Sequence, residues 1–190
     1  MLTIHLPTFP VLTTERLVLR ELRPSDAQRV FAMRSDPLVM QHVTRPLART
    51  IEDASALITR INTTVAANDA VQWAITLKAS SSRSIGADDV FIGIIGFWRM
   101  EKEHHMAELG YSLARDHWGK GLMSEAIGNV VDFGFDTLGF HRVEAITRPE
   151  NAASIRALEK NGFVREAHFK ENIFWNGVFH DSVHFGRLAR

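Results

Sequence analysis

The residues best arranged for chemistry are Trp118-Gly119-Lys120-Gly121-Leu122-Met123-Ser124-Glu125-Ala126. Ahead of them, Ala107-Glu108-Leu109-Gly110-Tyr111-Ser112-Leu113 reads as a short apolar strand. Behind them, Leu122, Ala126, Val130 and Phe133, flanked by Met123, Ile127 and Val131, fall at the spacing of a wide apolar helix face. A strand, a glycine-containing turn and a helix start gather several unpaired backbone N–H groups around one point. The first turn of a helix carries partial positive charge, so that point suits a phosphate or pyrophosphate. Gly119 and Gly121 let the backbone approach a ligand without Cβ interference. An ordinary strand-to-helix turn has the same outline. A Walker-type loop would place Ser or Thr after Lys120, where Gly121 stands. A dinucleotide fingerprint would want glycine in place of Ser124 and an acid ending the next strand, but Arg142–Thr147 ends without one.

The elements that must position this turn can be read around it. A chain of 190 residues accommodates one α/β core and is short for two domains. Hydrophobic residues make up 45% and charged residues 23%, the proportions of a globular protein. The 22 basic and 22 acidic residues cancel, which removes any general pull toward nucleic acid or anionic membrane. Absence of cysteine excludes disulfides, thiolate ligands and a cysteine nucleophile, and suits a reducing compartment. The first residues lack a basic leader, and Pro7 and Pro10 break the apolar run, so neither a signal peptide nor a membrane span is expected.

Residues 15–22 read as a strand, with Leu17 and Leu19 on one face and Val18 on the other. A capping box of Ser25 with Gln28 predicts a helix running to about Arg34, before Asp36-Pro37. The stripe Ala54, Leu57, Ile58, Ile61 and Val65 predicts a second helix from Glu52 to about Ala67. Strands follow at 73–77 and 90–97, separated by a polar loop at 78–88 expected to be disordered at its tip. The 90–97 run is apolar at nearly every position, which predicts a strand buried on both faces, with glycines at bulges or close approaches. A polar hairpin at Glu101–His105 leads into the 107–113 strand. The motif helix extends to about Leu138, strand 142–147 follows, and Asn151 caps a helix ending at Gly162. Asn176-Gly177 turns the last hairpin.

Four segments, in order, resemble the RimJ/RimL-type branch of the GNAT superfamily of acetyl-CoA-dependent N-acetyltransferases. They are Thr14-Glu15-Arg16-Leu17-Val18-Leu19-Arg20, Ala107-Glu108-Leu109-Gly110-Tyr111, Trp118-Gly119-Lys120-Gly121, and Asn151-Ala152-Ala153-Ser154 running to Glu159-Lys160-Asn161-Gly162-Phe163. The likeness spans residues 12 to 188. It implies a single-domain α/β GNAT-like fold with a mixed, splayed central sheet of about six to seven strands and about four helices. It also implies that the first two helices and their link flank the cleft for the acceptor.

On that resemblance, acetyl-CoA is the donor and its pantetheine arm lies between two splayed strands. The backbones of Tyr111 and Leu113 pair with the arm, and an N–H near Tyr111 serves the oxyanion. The N–H groups of Gly119, Lys120, Gly121, Met123 and Ser124 hold the pyrophosphate, with Trp118 opening the turn and Asn151 contacting pantetheine. Many family members carry Gln or Arg at Trp118 and Gly or Ala at Met123; backbone contacts tolerate both differences. Many relatives also place a tyrosine where Leu158 stands, and this chain's one tyrosine, Tyr111, lies on the tunnel strand.

Without cysteine there is no thioester acetyl-enzyme, so direct transfer to an amine is the simplest course. Glu108 is the first candidate for general base through water, since partial burial would raise its pKa. A structural ion pair with Arg20 or Arg99 is the alternative. Ser154, one turn after Asn151, is the candidate to donate a proton to sulfur or hold a water; the alternative is protonation from solvent. His104 and His105 read as a solvated turn. His180 and His184 sit about 13 Å apart on one strand face and cannot share an ion unaided, so no metal is expected. The acceptor is a primary amine, a protein N-terminal α-amine in the first instance. The alternatives are a small amine such as an amino acid, polyamine or antibiotic, or a CoA-binding module without catalysis. A cytoplasmic protein, free of nucleic acid and membrane, and dimerisation as in the resembled branch complete the expectations.

Overall fold

A computed structural model of the chain describes residues 1–78 and 90–189, so most of the expected polar loop lies outside the described residues. Eight strands form one sheet: β1 (Leu12–Thr13), β2 (Leu17–Arg20), β3 (Val71–Leu77), β4 (Phe91–Glu101), β5 (Met106–Leu113), β6 (Arg142–Thr147), β7 (Val164–Trp175) and β8 (Val178–Leu188). Their spatial order is β1-β2-β3-β4-β5-β6-β8-β7. Every neighbouring pair is antiparallel except β5–β6, which is parallel. The helices are α1 (Ala27–Arg34), α2 (Pro37–Met40), α3 (Ile51–Ala66), α4 (Leu122–Asp136) and α5 (Ala152–Lys160).

The sheet therefore has eight strands and five helices among the described residues, against the six to seven and four expected. The short β1 carries no periodicity that could announce it. Helix α2 arises where Asp36-Pro37 reads as a stop. Asp36 instead caps a new helix by accepting the Leu38 N–H at 2.9 Å, and Pro37 occupies the first turn, where its missing N–H costs nothing. The expected Ser25–Gln28 box is also replaced: Asp26 takes the Arg23 N–H at 2.8 Å.

Helices cover the sheet on both sides. Against α4 and α5 pack Leu17, Leu19, Trp73, Ile75, Ile92, Ile95, Phe97 and Leu109. Against α1 and α3 pack Ala74, Phe91 and Ile94. Residues 91–97 of β4 are accordingly buried on both faces, as their unbroken apolar run requires. The register of β4 against β5 shifts between Phe97 and Arg99, a bulge that re-aims Trp98 and Arg99.

The feature that matters for function lies between β5 and β6. Their pairing covers only Met106–Glu108 against Arg142–Glu144. Beyond that point β5 follows β4 as far as the Gly93–Leu113 pair, while β6 follows β8 as far as the Thr147–Val183 pair. Two parallel strands held by different partners diverge, and a V-shaped gap opens toward their C-terminal ends.

Candidate functional site

The gap leaves one edge of β5 without a strand partner. The Ala114 N–H bonds to the Ile92 carbonyl at 2.8 Å, which commits the even-numbered backbone groups of β5 to β4. Those of Leu109, Tyr111 and Leu113 then point across the gap, where an extended ligand arm could pair with them as a strand would. The Leu113 carbonyl is already taken by the Trp118 indole N–H at 2.8 Å, so Leu113 offers its N–H. That indole also ties the start of the turn to the end of the strand.

At the mouth of the V the chain makes one 3₁₀ turn (Arg115–His117) and enters α4. Gly119 and Gly121 both adopt left-handed conformations, with φ of 72° and 74°. A Cβ at Gly119 would meet nothing within 4 Å, so backbone conformation rather than crowding demands glycine there. Among the described residues no acceptor takes the N–H of Gly119, Lys120, Gly121, Met123 or Ser124; the first helical bond runs from Glu125 N–H to the Gly121 carbonyl at 3.1 Å. Gly119, Lys120 and Gly121 are exposed. A row of free amides at the N-terminus of a 15-residue helix is an anion-binding surface.

The turn is held from behind. Glu125 accepts the Thr14 hydroxyl at 2.5 Å, the Arg16 N–H at 2.9 Å and the Arg16 guanidinium at 2.7 Å. Arg16 also reaches the Lys120 carbonyl at 2.9 Å. Burial pushes the Glu125 carboxyl upward, but the Thr14 and Arg16 hydrogen bonds outweigh it and hold it below the usual range. The Lys120 ammonium donates to the Asp116 carbonyl at 2.7 Å. Ser124 Oγ accepts from Asn161 at 3.0 Å, and Asn161 also donates to the Ala157 carbonyl at 2.7 Å, which ties α4 to α5.

Glu108 stands where the strands part, paired in register with Glu144, and is 8% exposed. Its partner is Arg99, at 3.0 Å. Arg20, the other candidate partner, makes a two-pronged bond with Asp26 at 2.8 Å on each arm. Burial raises the Glu108 carboxyl; Arg99 and a Trp98 hydrogen bond oppose it, and Glu144 and Glu101 add to it. The ion pair and the raised pKa therefore coexist. His104 and His105 lie in the turn ahead of β5, at the closed end of the V.

Across the gap, the Tyr111 hydroxyl lies 2.7 Å from Ser154 Oγ. Burial pushes the Tyr111 phenol up to about 12, partly offset by the Ser154 bond. Asn151 caps α5 by accepting the Ser154 N–H at 3.1 Å, leaving its amide N–H₂ for another partner. Leu158, where relatives carry tyrosine, is fully buried in the core.

Three residues to which the sequence assigned no part in the site also lie near the gap. Arg148 follows β6, is 8% exposed and meets His180 Nδ1 at 3.2 Å. His42, just after α2, is held below its usual pKa first by burial and then by Arg148. Asp36, at the other end of α2, bonds Arg115 beyond β5 at 3.3 Å. Helix α2 is thus tied to the β5 side by Asp36, and His42 past its other end feels the charge of Arg148 on the β6 side. The alternation of β6 was the available signal for Arg148; its electrostatic influence on His42, over a hundred residues away, was not readable.

Comparison with known proteins agrees with this geometry. The acetyltransferase (GNAT) domain family matches residues 16–164. The uncharacterized N-acetyltransferase YoaA of Bacillus subtilis is 32% identical over 174 residues, 92% of this chain and 94% of that one. A GNAT-family acetyltransferase from Bacillus anthracis superposes with a TM-score of 0.80 at 27% identity, over 94% of this chain and 98% of that one. RimL, a ribosomal L7/L12 α-N-protein acetyltransferase solved with coenzyme A, has the same fold, with a TM-score of 0.81 at 19% identity over 94% and 98% of the two chains.

Proposed function

Because this chain belongs to the GNAT acetyltransferase family and is an acetyl-CoA-dependent N-acetyltransferase, we propose that its acceptor is a primary amine, foremost a protein N-terminal α-amine. The amides of Gly119, Lys120, Gly121, Met123 and Ser124 hold the pyrophosphate. Trp118 fixes the turn, and Tyr111, Leu113 and Asn151 receive the pantetheine arm across the gap. The observation that carries this reading is the row of unbonded amides at the open end of a V that begins at Glu108.

In the transfer, a C–N bond forms to the acetyl carbon and the C–S bond breaks. Glu108, through a water, takes the proton the amine loses; burial brings the carboxylate nearer the pH at which this is efficient. An N–H of β5 near Tyr111 donates to the oxygen that gains charge. Ser154, in contact with Tyr111, donates a hydrogen bond to the departing sulfur or to a water it holds there, and the proton that turns the thiolate into the thiol is drawn from that water. A small amine acceptor is the second reading. What favours it is α2, with Asp36 at its start bonded to Arg115 after β5 and His42 just past its end feeling the charge of Arg148 after β6.

No helix among the described residues is long and apolar enough to cross a membrane, and we place the reaction in the cytoplasm. Calorimetry with coenzyme A, followed by mass spectrometry of acetyl transfer to N-terminal peptides and small amines, tests the reading. Heat of binding with acetylated peptide supports it; no heat at millimolar coenzyme overturns the site.

A further inference from the structure

Arg148 lies on the side of the gap where the acceptor must enter. Along β6, Val143 and Ala145 enter the core beneath α4, so Glu144, Ile146 and Arg148 take the other face. Glu108, Gly110 and Ser112 occupy that same face of β5. Equal steps from the last strand pair, Glu108–Glu144, set Ser112 across the gap from Arg148. A group held by Arg148 would therefore sit opposite the part of β5 assigned to the acetyl group.

The state of its guanidinium is unusual. Nη1 is engaged by His180 at 3.2 Å, but Nε and Nη2 are buried and have no hydrogen-bond partner. Those two N–H groups point the same way and form the planar fork that matches two carboxylate oxygens. Glu150, two residues on, makes no ion pair with Arg148 among the described residues. His42 is held toward its neutral form by burial and by Arg148 itself, so it brings no negative charge. The other long cations near α1 and α3 add the same sign: Arg34 feels both Arg45 and Arg60. A buried cation with two empty donors is costly unless an anion completes it.

We propose that the Nε–Nη2 fork of Arg148 binds a carboxylate carried by the acceptor, so the preferred substrate is an amine with an acidic group close to it. Neither nitrogen touches solvent in this structure, and uptake of the carboxylate shifts Arg148 or the segment that covers it. The inference rests on the acetyltransferase reading above and narrows its acceptor.

Initial rates at fixed acetyl-CoA test it with glycine, β-alanine and γ-aminobutyrate, each against its carboxamide, and with an N-terminal Asp peptide against the Asn peptide. Spermidine serves as a cationic comparison. The acid of at least one pair is expected to exceed its amide by about 100-fold in kcat/KM. Arg148→Gln should erase that preference through KM, leaving the affinity for acetyl-CoA unchanged, and Arg148→Lys should restore only part of it. Binding of the N-acetylated acid and its amide to the CoA complex of the native protein repeats the test without a variant. Equal use of acid and amide, preference for spermidine, or an Arg148→Gln protein that keeps the preference overturns the proposal. Acetylation of neutral amines alone sinks this inference and spares the acetyltransferase reading; absence of coenzyme binding sinks both.

Discussion

The hydroxyl of Tyr111, on β5, lies 2.7 Å from that of Ser154, on α5, so a single hydrogen bond spans the two sides of the gap. This is the chain's one tyrosine, and it is placed where the buried Leu158 cannot act. With its pKa pushed up to about 12, the phenol stays protonated wherever the protein works. It is a weak net acid toward a thiol, whose pKa is about 8.5. The role proposed for it is orientation: in the arrangement where the phenol donates to Ser154 Oγ, the serine O–H is free for a third atom.

Ser154→Ala is expected to slow turnover roughly tenfold, about the worth of one hydrogen bond. Coenzyme affinity should change little, since the Asn151 cap uses the Ser154 backbone N–H. Tyr111→Phe should give a similar loss, and the double variant no more than either single one. Stopped-flow detection of free thiol checks this; additive losses would mean that the two hydroxyls act separately.

Glu108→Gln should reduce kcat by about 100-fold. Because burial raises the carboxyl, the native rate climbs with pH until that raised pKa is passed, since only the carboxylate accepts a proton. The variant should lack that climb. A pH profile that keeps its shape assigns Glu108 to the Arg99 ion pair alone.

Gly121→Glu should abolish coenzyme binding, by calorimetry. It forces a side chain into a left-handed backbone at φ 74° and adds negative charge beside the free amides. Gly121→Ala separates the two effects: it costs about 1 kcal/mol in stability and should retain measurable binding.

Arg16→Ala should raise the dissociation constant for coenzyme A about tenfold through loss of bonds to Glu125 and to the Lys120 carbonyl, each near 1 kcal/mol. Nearly half its side chain is exposed, so the melting temperature should hardly move. A large thermal shift with unchanged affinity would reassign Arg16 from the loop to the fold.

Much of this was legible along the chain. Period and punctuation located α3, α4, α5, the central strands and the Asn176-Gly177 hairpin, because apolar spacing and turn chemistry are local properties. The unpaired amides at 119–124 were legible for the same reason: any strand, glycine turn and helix start leaves them. Other features depend on residues far apart in sequence meeting in space. The divergence of β5 from β6 follows from each strand's other partner, β4 and β8. The choice of Arg99 over Arg20 for Glu108 depends on a β-bulge and on Asp26 claiming Arg20 first. Thr14 and Arg16 take their role from Glu125, over a hundred residues away. The empty fork of Arg148 could come only from the fold, since burial and the lack of a counter-ion are properties of a packed environment and of no residue by itself.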